Sequence, residues 1–342
     1  MHIQHYSMSR ITIKDIARLL DINPSTVSRA LKDHPDISLE TREKVRELSR
    51  SLGYRPNVQA VHFRKQRSGL IALLIPDMNM FFFPPVIEAI EELTHNNGYN
   101  LIVLQSQESL HREVENADIC RQLGVEGVLV SLTKETVETS HLDRLAENGT
   151  PVVYFDRVLD YLQVPKVIIH DELAAYQATT HLIGRGYRRL CGLFGNPNLS
   201  ISQQRYQGFR RALSENGLTL YPHLLLFANS SEQGCEALLQ LWQSNQKPDA
   251  IFAMSDELLV GSMEAIYQLK LQIPQELALI AISTGEMPRF MNPPTTYLEH
   301  SGYQVGKSAA ALLFEMLEGK APKTHSPRQI EVVTRLVVQA ST

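Results

Sequence analysis

A small all-α unit followed by a larger two-lobed α/β body is the fold class this sequence predicts, and three observations predict it. In the first 57 positions apolar residues recur at helical spacing behind capping residues. From Gly69 onward short apolar runs alternate with amphipathic stretches, the rhythm of a parallel doubly wound sheet. That rhythm runs through twice, which implies two similar lobes. A chain of 342 residues has room for two or three such units. Its 43% apolar and 20% charged content is that of a globular protein and excludes fibrous and disordered classes.

The first unit is built from local signals. Thr12 precedes the periodic run Ile13, Ile16, Ala17, Leu19 and Leu20, with Asp15 three residues after it, the spacing of a capping box. A tight turn through Asp21 and Ile22 leads to Asn23, which caps a second helix that has Pro24 at its first position. Val27, Ala30 and Leu31 supply the buried stripe of that helix. Ser38 caps a third helix, Leu39 to Leu52, ended by Gly53. The result is a three-helix bundle with a helix-turn-helix at its start. In such a bundle the exposed start of the second helix can enter a DNA major groove, presenting Ser25 and Arg29 to bases while Thr26 and Ser28 reach phosphates. A small helical module that binds protein is the alternative on composition alone.

Charge favours the nucleic-acid reading. Residues 1–67 hold 13 Lys and Arg against 7 Asp and Glu, whereas the rest holds 20 against 30, so a basic head sits on an acidic body.

In the body, LIALLI from Leu70, NLIVLQS from Asn100, GVLVSL from Gly127 and PVVYFD from Pro151 read as strands, with helices between them. A second series begins near Lys166 with KVIIH and continues through RLCGLFG, AIFAM and LALIAIS. Ligands of such folds bind beyond the carboxyl ends of the strands, and two facing lobes make a cleft there.

Residues 11–57, ITIKDIARLLDINPSTVSRALKDHPDISLETREKVRELSRSLGYRPN, resemble the headpiece of the LacI/GalR (lactose-repressor/galactose-repressor) family of transcriptional regulators almost residue for residue. The resemblance implies base contacts from Pro24, Ser25 and Arg29, and phosphate contacts from Thr12, Thr26, Ser28, Tyr54 and Asn57. It also implies that VQAVHFRKQRSG, following Asn57, forms a hinge helix in the minor groove when two subunits meet on DNA. The sequence keeps Ala60 there but has Phe63 where the family has leucine; phenylalanine also serves as an intercalating wedge.

The body is similar to the effector domain of the same family, which is periplasmic-binding-protein-like, with the chain crossing three times between lobes. The matching stretches are Asn79-Met80-Phe81-Phe82, Phe155-Asp156-Arg157, Arg205 within RYQGF, Phe252-Ala253-Met254-Ser255-Asp256, and IPQELALIAIS with its sequel. The resemblance implies an effector site formed by Phe81, Phe82, Asp156, Arg205, Ser255 and Asp256, with Ser283 where sugar- and purine-binding members often carry an aspartate. The expected organisation is a headpiece at 9–57, a hinge at 58–67, a first lobe at 68–165 with 298–325, and a second at 166–290 with 326–342. Crossings are expected near 163–169, 286–298 and 323–330.

Other classes lack their signatures. Cys120, Cys191 and Cys235 form no C-x-x-C pair, the 12 histidines show no metal-ligand spacing, and neither metal nor other cofactor is expected. Gly302-Tyr303-Gln304-Val305-Gly306-Lys307-Ser308 misses a phosphate-binding loop by one residue, and no hydrolase or dinucleotide fingerprint occurs, so an enzyme is not expected. The start has no apolar core of a signal peptide, which disfavours a periplasmic solute-binding protein and predicts a cytoplasmic location. The expected protein is a homodimeric regulator, most simply a repressor, that binds palindromic operator DNA and answers to a small molecule of the sugar type.

Overall fold

The computed structural model describes residues 11–54, 67–244, 246–319 and 328–342. The chain divides between Ser68 and Gly69 into two compact units. Asn57, Ala60 and Phe63, and the expected hinge apart from Arg67, lie outside the described residues.

The first unit holds α1 (Ile13–Leu19), α2 (Pro24–Ala30) and α3 (Leu39–Ser51). Two of its three helix starts carry the side-chain bonds expected from the sequence, while Asn23 stands at the N-cap position of α2 without a side-chain cap hydrogen bond. The Asp15 carboxylate accepts from the Thr12 backbone N–H at 2.9 Å and from the Thr12 hydroxyl at 2.6 Å. Ser38 Oγ accepts from Thr41 N at 3.3 Å. Ile16, Ala17, Val27, Ala30 and Val45 make the core, and Leu48, Leu52 and Tyr54 pack against it. Gly53 leaves α3 at φ +61°, a left-handed turn that suits glycine.

Among the described residues the second unit contains two six-stranded sheets. The elements of the first are β1 (Leu70–Ile75), α4 (Phe83–Asn96), β2 (Asn100–Gln105), α5 (Leu110–Leu123), β3 (Gly127–Val130), α6 (Ser140–Glu147), β4 (Val152–Phe155) and β5 (Lys166–Ile169). The chain then builds the second lobe with α7 (Asp171–Gly184), β6 (Leu190–Phe194), α8 (Ser200–Glu215), β7 (Leu225–Phe227), α9 (Ser231–Trp242), β8 (Ala250–Ala253), α10 (Asp256–Leu269), β9 (Ala278–Ser283), the short α11 (Met287–Phe290) and β10 (Thr296–Glu299). It returns through α12 (Gly302–Leu317) and β11 (Gln329–Val332) to the first lobe and ends with β12 (Arg335–Val337) on the second.

The first sheet runs β11-β5-β4-β3-β1-β2 and is parallel throughout; the second runs β12-β10-β9-β8-β6-β7, with only β12 antiparallel. Strands such as β1, β3 and β8 are buried on both faces, which explains their unbroken apolar sequences. Small residues allow close helix packing: a Cβ added to Gly208 on α8 would lie 2.0 Å from the carbonyl oxygen of Glu172 on α7. Among the described residues no helix is long and apolar enough to cross a membrane.

The lobe boundaries differ from those expected. Lys166–Ile169, expected to open the second lobe, pairs in the first sheet, with Tyr154↔Lys166 and Phe155↔Val167 in register. The three crossings fall around His170, around His300 and Ser301, and at Val333 and Thr334. Apolar alternation reveals where a strand is, but not which sheet edge receives it.

Candidate functional site

Two sites stand out, one on each unit. On the first, α2 turns Val27 and Ala30 into the core, and its period of 3.6 residues leaves Pro24, Ser25 and Arg29 exposed, with Thr26 and Ser28 half-buried at the flanks. The Arg29 side chain makes no ion pair among the described residues, so its donor fork is available to a partner. Thr12 is exposed at the start of α1, its hydroxyl engaged by Asp15. Tyr54 packs half-buried on the headpiece core, and burial raises its phenol above the ordinary range. An exposed helix start with a free guanidinium can read base edges.

On the second unit a cavity of about 490 Å³ opens between the lobes at the strand ends. Phe82, Asp156, Arg205, Ser255 and Asp256 line it, as expected from the sequence. Phe81 and Ser283 do not. Phe81, next to Phe82 on the same turn, points outward, and its backbone N–H donates to Glu257 Oε1 at 3.2 Å. Ser283 is fully buried and donates its hydroxyl to the carboxylate of Asp256.

Each lining group has a structural cause. Asp156 follows β4 at φ +57° and accepts from Ser131 Oγ at 3.2 Å. Burial pushes its carboxyl up to about 6, opposed by the nearby Arg157 and Arg205 charges. Asp256 opens α10 and also accepts from Thr284 N at 3.0 Å and Thr284 Oγ1 at 3.2 Å; burial again pushes it up to about 6. Ser255 caps the same helix. Arg205 is held from within the protein: Nε donates to Asp171 Oδ1 at 2.7 Å and Nη1 to the Met254 carbonyl.

The structure adds residues not expected from the sequence. Arg157 pairs with Glu108 at 2.7 Å and touches Met80 Sδ at 3.5 Å. The His300 ring stacks on Phe82 at 5.2 Å and 16°, and its burial lowers it to about 3, leaving it neutral. The Asp156-Arg157 dipeptide was a visible signal for Arg157; Glu108 and His300 had none, since the chain brings them in from remote loops. A second cavity of about 540 Å³ shares Lys134, Arg157, Asn196, Leu199 and Ile201 with the first and continues along Val137, Val158 and Leu159.

Hydrogen bonds bridge the lobes beside the cavity. Besides Phe81 to Glu257, Ser200 Oγ donates to the Val158 carbonyl at 2.7 Å and Gln204 Nε2 to Asp160 Oδ1 at 3.0 Å.

Comparison with known proteins finds relatives for both units. Residues 12–57 match the family described as bacterial regulatory proteins, lacI family, and residues 68–338 match periplasmic binding proteins and sugar binding domain of LacI family. The ribose operon repressor of Haemophilus influenzae is 30% identical over 90% of this chain and 92% of its own. The solved complex of the transcriptional regulator CelR with cellobiose is 25% identical, with a TM-score of 0.72, covering 97% of this chain and 100% of that one. The lac repressor dimer bound to operator and the anti-inducer ONPF has a TM-score of 0.86 over 97% of this chain and 99% of its own, a likeness of fold at 18% identity. Matched in the headpiece and through the two-lobed body, the chain belongs to the LacI family of bacterial regulatory proteins.

Proposed function

We propose that this protein is a transcriptional repressor that binds a pseudo-palindromic operator as a dimer and is controlled by a small polar effector, a sugar or related metabolite, held between the lobes. The observation that carries the DNA reading is the exposed face of α2, on which Pro24, Ser25 and Arg29 stand beside phosphate-reaching Thr26 and Ser28. Thr12 and Tyr54 are further phosphate-contact residues that the resemblance implies, and Asn57, Ala60 and Phe63 carry the same role into the hinge by resemblance. The effector reading is supported by the cavity lined by Phe82, Asp156, Arg205, Ser255 and Asp256, and by relatives whose names refer to ribose and cellobiose. Phe81 and Ser283 act from behind that lining, Phe81 through Glu257 and Ser283 through Asp256.

Control follows from differential binding. An effector that prefers one angle between the lobes shifts the population toward it, and DNA affinity changes by the same coupling free energy. Operator binding measured on a palindromic library is expected to weaken steeply with salt as Lys and Arg release phosphate counterions. Arg29→Ala is expected to weaken specific binding by about 1–3 kcal/mol and to relax preference at one base position in each half-site. Binding by the wild type without any sequence preference would defeat the regulator reading.

A further inference from the structure

We propose that the effector is an amine-bearing polyol, positively charged at neutral pH, whose nitrogen binds Asp156 while its hydroxyl or ether oxygens meet Arg157 and Ser202. This rests on the effector reading above and narrows it to a chemical class.

The first support is the charge of the cavity. Six carboxylates line it, those of Asp77, Glu108, Asp156, Glu232, Asp256 and Glu257, against the cations Lys134, Arg157 and Arg205. Two of those cations are already paired. Arg157 lies 2.7 Å from Glu108, and Arg205 lies 2.7 Å from Asp171, which is outside the lining. The field that remains is negative. It repels phosphorylated or carboxylated ligands and attracts a cation, more strongly in a partly dehydrated cleft than in water. Asp156 is the carboxylate with most to offer, since its hydrogen bond from Ser131 Oγ, at 3.2 Å, leaves acceptor sites open.

The second support is independent of charge. Ser202 Oγ and Arg157 Nε are buried without a hydrogen-bond partner, in side chains of residues only 2% and 7% exposed, and both residues line the cavity. Buried polar atoms left unpaired are rare and need a partner. Arg157 Nε can only donate, so its partner must bring an oxygen acceptor; surrounded by carboxylates, that oxygen is best neutral. Ser202 accepts from, or donates to, a second hydroxyl. The stacked Phe82 and His300 rings offer an apolar surface for a ring face, and the neutral imidazole does not oppose a cation. A neutral polyol satisfies Arg157 and Ser202 but leaves the surplus of carboxylates over cations in the lining uncompensated. An amine on the same skeleton supplies a charge-assisted hydrogen bond as well.

The test uses the full-length protein and matched probes in thermal melting and isothermal titration: glucosamine, galactosamine and mannosamine, each beside its parent hexose, its N-acetyl form and its 6-phosphate. At least one free amine is expected to raise the melting temperature and to bind at least tenfold more tightly than its parent. N-acetylation, which removes the charge and keeps the ring hydroxyls, is expected to abolish that advantage. Asp156→Asn is expected to bring amine and parent to equal affinity. Tightest binding of a neutral hexose or of a phosphorylated form would overturn the amine assignment and leave the effector reading standing. Failure of every probe to bind would overturn both. The N-acetyl comparison decides the matter without relying on the folding of any variant.

Discussion

Arg205, expected from the family to meet the effector, lines the cavity and is held from within by two of its three nitrogens: Nε reaches Asp171 at 2.7 Å, Nη1 reaches the Met254 carbonyl, and both side chains of the ion pair are about 95% removed from solvent. Arg205→Met keeps the volume and removes the charge. It strands a carboxylate on α7 in the interior, and breaking one side of a buried pair costs about 3–5 kcal/mol. For a unit of this size each kcal/mol lowers the melting temperature by about 2–4 °C, so a fall of about 10 °C is expected in calorimetry. Two further readouts separate this mechanism from simple loss of packing. Asp171→Asn in the Arg205→Met background removes the stranded charge and is expected to recover more than half of the loss, a positive coupling in a double-mutant cycle. The penalty is also pH-dependent. In the single variant the folded protein holds the Asp171 proton to a higher pH than the unfolded chain, so it binds more protons above the unfolded value and its stability falls as pH rises. The variant is therefore expected to lie closer to wild type at pH 5 than at pH 8. A fall of less than about 2 °C, equal at both pH values, would refute the clamp.

Asp156 provides a second pH test. Its carboxyl sits at about 6 against an ordinary 3.8, so the folded state binds more protons between those values and stability declines as pH rises through that window, by about 2–3 kcal/mol in all. Asp156→Asn, uncharged throughout, is expected to match wild type near pH 4 and to melt higher above pH 7; identical melting at pH 7.5 would show that the carboxylate carries no burial penalty. Packing between α7 and α8 is tested by Gly208→Ala, whose Cβ would fall 2.0 Å from the Glu172 carbonyl oxygen, and which is expected to destabilise by at least about 2 kcal/mol in urea unfolding. Gly184→Ala, where a Cβ meets nothing within 4 Å, is the control, expected to be neutral or stabilising by a few tenths of a kcal/mol.

Much of this was legible in the chain itself. Thr12 with Asp15, Pro24 at the first position of α2 and Ser38 with Thr41 act within one helical turn, so the sequence alone placed the headpiece helices and the face of α2 that carries Ser25 and Arg29. Apolar runs such as LIALLI and AIFAM announced buried parallel strands for the same local reason: residues covered on both faces have no polar partner to alternate with. What the sequence could not determine depends on pairings between distant segments. Lys166–Ile169 looks like any strand, and only register against Tyr154 and Phe155 assigns it to the first lobe. Phe81 and Phe82 are neighbours in an identical local context, yet packing turns one onto His300 and leaves the other outside the cavity lining. Ser283 looked like a lost ligand anchor until Asp256, 27 residues earlier, was found to receive its hydroxyl. Local free energies are written residue by residue along the chain, whereas the charge and the unpaired donors of the cavity arise only when the two lobes bring Asp156, Arg157 and Ser202 to one place.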